Sequence, residues 1–355
     1  MDNLTHTLFA TALGKSALGR RSSLAPWAMA VAANLPDADA LARVLGKEAY
    51  LTHHRGLTHS LVGLAIQVPL VAGLFAWADR RTREQEGARA AFWALLPGVA
   101  AALASHLALD ALNPYGIRPW LPFDGSWIYG DLAFIADPWQ WLLFGGATAL
   151  AGARSKSGSW ALGLAAVGCA AVIGASGRAP SWGLGVFIAS AVLLAYLRGR
   201  GVGRSQPQRV LAIFGLFAAV YLTLLSITGG LAVQAAVGDV RSLNGGASAE
   251  QTAAMAEPMD PLDWTVLIQS GERIYRRRLH LGTGNSEGSS FPTMLTDSRV
   301  AEAAATAAGQ AWREFARHPY ATVEPQADGS VVVTLLDARY PGIGFCTFPV
   351  TLGKK

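Results

Sequence analysis

The sequence predicts a mainly α protein: a polytopic helical membrane bundle of six to eight membrane helices, with a C-terminal soluble α+β domain. Three observations carry this. Charged residues make up only 15% of the 355 positions, against about 25% in an average soluble domain, while 52% are hydrophobic. Charge-poor apolar runs recur between short arginine clusters as far as Leu231. Beyond Gly238 the charges return and β-branched residues begin to alternate.

Taken in order, the first elements are two short apolar stretches. Leu4–Leu18 is helix-compatible and is followed by Gly19-Arg20-Arg21, and Ala25–Leu35 stops at Pro36. Each falls short of the ~20 residues that cross a bilayer, so together they are expected to form a tight helical hairpin dipping into the membrane. A secretory signal peptide fits poorly, because Asp2 and His6 stand where a basic n-region belongs and the arginine pair follows the apolar stretch. Residues 57–78, 91–112, 182–198 and 210–231 read as full spans, and 137–153 and 159–176 as slightly shorter ones. A membrane-embedded helical domain is thus expected at 1–237, a Gly-, Ala- and Ser-rich linker at 238–260, and a soluble domain at 261–355. In that last domain Thr265–Ile268 and Val331–Leu335 read as strands, with an alanine-rich helix over Arg299–Arg317 between them.

A net charge of +5 does not point to nucleic acid, because the cations sit in turns between apolar runs. Thirteen of them (Lys15, Arg20, Arg21, Arg80, Arg81, Arg83, Arg89, Arg154, Lys156, Arg198, Arg200, Arg204 and Arg209) fall on one side of the alternating topology. Only Arg43, Lys47, Arg55, Arg118 and Arg178 fall on the other side before the tail. The positive-inside rule sets the first group in the cytoplasm. The N-terminus, the loops 36–56 and 113–136, and the tail domain are then expected outside a bacterial cytoplasmic (inner) membrane. The two cysteines, Cys169 in an apolar run and Cys346 near the far end, predict neither a disulfide framework nor a CxxC metal site.

The histidines carry the chemical information. Five of the seven, His6, His53, His54, His59 and His106, fall in the first 106 residues, most of them beside carboxylates. Asp37 and Asp39 lie in Asn34-Leu35-Pro36-Asp37-Ala38-Asp39, and Asp110 follows His106 by four residues, on the same helix face. Ionisable groups in apolar segments are costly and mark function. Imidazole nitrogens with carboxylate oxygens are ligands for zinc, manganese or iron. The expected topology brings His6, the Asp37/Asp39 pair, the His54/His59 pair and His106/Asp110 to one membrane level from four separate segments. Each feature alone has a second reading. His106 and Asp110 can pin two helices together, Asp37 can cap a helix, His53 reads as a surface loop residue, and Arg55 can anchor at headgroup depth. Arg276-Arg277-Arg278 reads as a solvated strand edge, and His318 has no obvious partner.

The set Thr5-His6, Leu35-Pro36-Asp37-Ala38-Asp39, His54-Arg55-Gly56-Leu57-Thr58-His59-Ser60 and Ser105-His106-Leu107-Ala108-Leu109-Asp110 resembles the YdjM-type family. Its members are membrane-bound metal-dependent hydrolases by description, some of them LexA-regulated inner-membrane proteins. Asn113-Pro114-Tyr115-Gly116 and the stretch from Asp131 to Asp137-Pro138 continue the likeness. The resemblance implies metal ligation by His6, Asp37, Asp39, His54, His59, His106 and Asp110. It also implies distant kinship with the zinc-dependent phospholipase C and P1 nuclease group, although that group's ligand spacing and N-terminal tryptophan are absent here.

The function expected on these grounds is metal-dependent hydrolysis of a phosphoester in a lipid or lipid-linked substrate at the outer membrane surface. The cofactor is a divalent metal, zinc first and manganese as the alternative, as one or two ions. Arg55 would hold phosphate through its planar fork, and Asp2 or Asp131 would orient the water or a ligand histidine. The rival reading is non-enzymatic: a metal-binding or transport protein, or a scaffold locked by its polar cluster. The scarcity of charge within the spans over 137–231 argues against a transport pathway.

Overall fold

The computed structural model describes residues 1–79, 84–152, 155–243 and 249–353. Contacts divide the chain into two compact units. Met1–Ala38, Leu57–Ile227 and Ala256–Pro261 form the first, and Asp39–Gly56, Thr228–Met255 and Leu262–Lys355 the second.

The described helices, in chain order, begin with α1 (Asn3–Leu13), α2 (Ala25–Ala32), α3 (Lys47–His53), α4 (Leu61–Ala78) and α5 (Ala88–Ala111). They continue with α6 (Pro138–Ala151), α7 (Lys156–Ser176), α8 (Ser181–Gly199) and α9 (Pro207–Leu243), and two more follow in the tail. Among the described residues, five helices are long and apolar enough to cross a membrane: α4, α5, α7, α8 and α9. The span expected over 137–153 is instead α6, whose 14 residues rise about 21 Å, short of a ~30 Å hydrocarbon core. Its start is fixed by Asp137, whose Oδ1 accepts from Trp139 N at 2.9 Å, ahead of Pro138 in the first turn.

Small side chains hold α1, α2, α4 and α5 together. Ala10, Ala28, Ala32, Ala72 and Ala102 are fully buried among Met29, Leu95 and Leu103, as close packing of membrane helices requires. The turn before α4 is equally tight. Ser60 caps that helix by accepting from Gly63 N at 2.9 Å, and a Cβ on Gly63 would run into the Leu57 carbonyl.

The second unit is built on two antiparallel sheets. One has the order β1 (Gln251–Glu257), β2 (Asp260–Ser270), β3 (Arg273–His280), β4 (Asn285–Pro292), and the other the order β5 (Pro319–Pro325), β6 (Val331–Asp337), β7 (Phe348–Leu352). Both expected strand segments lie inside β2 and β6. The stretch expected as a linker at 238–260 carries the end of α9, all of β1 and the first residue of β2, while 244–248 lie outside the described residues. Helix α9 continues there because Ala236 and Val240 are buried, which gives its last turns a packing face. The helix expected over Arg299–Arg317 is two, α10 (Ser298–Ala304) and α11 (Ala307–Phe315), because Thr306 caps the second by accepting from Gly309 N at 3.2 Å. Arg276, Arg277 and Arg278 do not form a sheet edge: β3 is paired on both sides, by β2 and β4.

Helix α3 belongs to this second unit. Lys47 donates from Nζ to the Thr347 carbonyl at 2.7 Å and lies over the Phe348 ring. Tyr50 meets Phe345 edge-on at 5.8 Å, and Leu51 is buried.

Candidate metal centre

Four chain segments of the first unit build one buried polar group. Asp2 caps α1, accepting at Oδ1 from Leu4 N at 3.0 Å and Thr5 N at 3.1 Å, and also accepts from Trp141 Nε1. That cap fixes the start of α1, in whose first turns His6 is buried. The turn after α2 presents Asp37, the 3-10 turn Leu57–His59 presents His59, and the last turns of α5 present His106 and Asp110. The final two are four residues apart and share a helix face.

Asp37, His59, His106 and Asp110 each offer a ligand atom, and these atoms all lie within 4.8 Å of one another. Nε2 of His106 is 3.0 Å from Nε2 of His59. Oδ1 of Asp37 is 3.3 Å from the His59 nitrogen and 3.8 Å from the His106 nitrogen. Oδ2 of Asp110 is 3.4 Å from both. The edges of a tetrahedron with metal–nitrogen bonds of 2.0–2.1 Å are about 3.3 Å, so the measured separations fit one divalent ion.

The tautomers agree with that use. His106 Nδ1 lies 2.6 Å from the Ala33 carbonyl, which can only accept, so Nδ1 carries the proton and Nε2 presents its lone pair to the centre. His59 Nδ1 has the Thr58 hydroxyl at 3.0 Å. His6 stacks on His106 at 3.9 Å between centroids and places Nε2 3.4 Å from Asp110 Oδ1. Neither ring nitrogen of His6 has a hydrogen-bond partner among the described residues, although the side chain is fully buried. Burial lowers His6 to about 4, against the pull of Asp110, and keeps the imidazole neutral and ligand-competent near neutral pH. Burial works to raise Asp37, but the His59 bond and the nearby imidazoles outweigh it and hold the carboxylate ionised.

Of the seven expected ligands, four therefore converge and His6 stacks on them. Asp39 and His54 belong to the second unit, where His54 Nδ1 lies 2.7 Å from Asp39 Oδ1. Arg55, buried there with a left-handed φ of 55°, donates its backbone N–H to Asp39 Oδ2 at 3.0 Å. His53 is exposed at the end of α3. Asp2 is engaged as the α1 cap, and Asp131 is half-buried in the loop before α6. Sequence reasoning missed the supporting groups. Asn3 Nδ2 donates to Asp37 Oδ2 at 2.9 Å, the Ala33 carbonyl orients His106, and the Met1 nitrogen contacts Asp110. Only Asn3 left a signal, a polar residue in the opening turn of an apolar helix.

The family model for YdjM inner membrane protein matches residues 1–181, just over half of the chain. The chain is also similar to the Uncharacterized protein YfhP of Bacillus subtilis (strain 168), with 26% identity over 149 residues. That match covers 39% of this chain and 42% of the relative, well short of the relative's full length. No solved structure matches.

Proposed function

Because the chain belongs to the YdjM inner membrane protein family, a multi-pass inner-membrane family, we propose that it is a metal-dependent hydrolase. Its substrate is proposed to be a phosphoester of a lipid or lipid-linked molecule, met at the outer face of the membrane. The observation that carries the reading is the largely buried Asp37–His59–His106–Asp110 group, with the His6 imidazole stacked against it. His59, His106 and Asp110 are buried and Asp37 largely so. Bringing carboxylates and imidazoles this close together away from water is costly, and a divalent cation would offset that cost.

A divalent ion held there would supply a water of lowered pKa and polarisation of a phosphoryl oxygen. Asp37, His59, His106 and Asp110 would hold the ion, and their nitrogen and oxygen donors suit zinc or manganese. The Ala33 carbonyl and Asn3 amide would keep His106 and Asp37 oriented for ligation, and the His6 imidazole stacked on His106 would add a further donor. The Asp39–His54 pair supplies the donors for a second ion. Arg55 is assigned to hold the phosphate through its fork, and Asp131 to orient the attacking water. The tail domain selects the substrate.

The test is the metal content of detergent-purified protein by inductively coupled plasma mass spectrometry, wild type beside His59→Ala and Asp110→Ala. One or two equivalents of zinc or manganese, lost from both folded variants, support the site and justify phosphoesterase screens on lipid substrates. Wild type that takes up no metal, with both variants equally stable, refutes the hydrolase reading. Collapse of the fold on His59→Ala in metal-free protein favours a scaffold instead.

A further inference from the structure

The first unit also contains a cavity of about 300 Å³ that the polar group does not use. It lies among α1, α6, α7 and α8, bounded by Leu8, Trp141, Ala149, Gly163, Ala195 and Arg198. Leu4 and Leu8 reach it from the face of α1 opposite His6, so the helix separates cavity from metal centre.

Small residues open this space. A Cβ on Gly163 would meet nothing within 4 Å, and Gly163, Ala165 and Ala195 are exposed along the cleft. Both α7 and α8 are candidate membrane spans. The medium outside the cleft is therefore hydrocarbon, and an apolar slot between two spans fits a hydrocarbon chain.

One end is cationic. Arg198, 9% exposed, donates from Nε to Ser159 Oγ at 3.3 Å and from its guanidinium to the Ala149 carbonyl. Lys15 converges on the same point. Its Cε and Arg198 Nη1 lie 3.6 and 3.7 Å from where a Cβ on Gly152 would sit. Lys15 makes no ion pair among the described residues, and no carboxylate lines the cavity. Arg198 at the end of the slot, with Lys15 beside it at Gly152, matches a lipid phosphate above its acyl chain.

We infer that this cleft binds one anionic phospholipid, with an acyl chain between α7 and α8 and the phosphate on Lys15 and Arg198. The site is independent of the metal chemistry: it lies on the face of α1 opposite His6, and its cationic end is beyond the C-terminal end of that helix.

The experiment reconstitutes the full chain into nanodiscs with equal phosphatidylglycerol and phosphatidylcholine, then releases it for native mass spectrometry. Wild type is expected to retain one phosphatidylglycerol. Gly163→Phe, whose Cβ meets no atom within 4 Å and whose ring would occupy the slot, is expected to lower that adduct at least tenfold at an unchanged melting temperature. Lys15→Gln is expected to keep a lipid but lose the headgroup preference. Ala195→Phe, filling the slot from the opposite wall, replaces the first variant should that one misfold. Wild type carrying both lipids in the supplied ratio, or folded slot-filling variants retaining the adduct at the wild-type level, overturns the inference.

Discussion

The amide of Asn3 gives the sharpest quantitative test of the metal centre. It donates to Asp37 Oδ2 at 2.9 Å, while Oδ1 of the same carboxylate faces the His59 and His106 nitrogens. Alanine in its place leaves every ligand atom present and removes only the group that orients one of them. A hydrogen bond to a charged acceptor contributes about 1.5–3 kcal/mol. Asn3 is exposed, so water replaces part of that and roughly 1.4 kcal/mol remains, a tenfold change in an equilibrium constant. Loss of an outer partner of a metal ligand costs about 10–100-fold in affinity, and the exposed geometry places Asn3→Ala at the low end. Competition against a chromophoric chelator, with zinc and separately with manganese, measures it directly. Asn3→Ala is expected to weaken binding about tenfold at an unchanged melting temperature, whereas Asp110→Asn, which changes a ligand, abolishes it. Affinity within twofold of wild type would refute the orienting role. A loss as complete as that of Asp110→Asn would show that Asn3 is itself a ligand.

Other outcomes follow from the tail. Burial holds His318 near pH 4, below the ~6.5 of an unfolded histidine. The unfolded chain then binds the extra proton between those values. Stability is complete above about 6.5 and falls toward pH 4, by up to about 1.4 kcal/mol per unit. Hydrogen exchange of β5 between pH 7 and 5 should show that slope, and His318→Phe should flatten it. Asp337 and Arg339 form a fully buried pair at 2.7 Å. Arg339→Met should cost about 3–5 kcal/mol, read as exchange in β6 faster by at least a hundredfold, and a change under threefold would contradict it. A Cβ on Gly229 would lie 2.8 Å from the buried Trp264 ring, so Gly229→Ala should destabilise by about 1–3 kcal/mol through overpacking, visible as a lower melting temperature.

Much of the centre was legible because its chemistry is written in side chains. His106 and Asp110 share a helix face by spacing alone, and His59 opens an apolar helix where an imidazole is conspicuous. The parts that escaped are those with no residue code. The Ala33 carbonyl that sets the His106 tautomer belongs to the backbone, and any residue there supplies it. Asp37 and Asp39 stand two apart in sequence, yet the chain assigns them to different compact units, which no local pattern records. The tail shows the same limit. β6 was visible as Val331–Leu335, whereas β4, with Ser286, Gly288, Ser289 and Ser290, has the composition of a loop and is a strand because β3 offers it a partner.

The placement of α3 has a consequence in time. The carbonyl that Lys47 holds belongs to a residue made 300 positions later. At 5–20 residues per second, synthesis puts roughly 15–60 s between them. Throughout that interval Tyr50 and Leu51 have no packing partner from the tail, and the neighbouring Asp39, His54 and Arg55 ride on the same waiting loop. This segment is made well before the tail residues that complete its packing, so its native contacts are finished only when the last strands are in place.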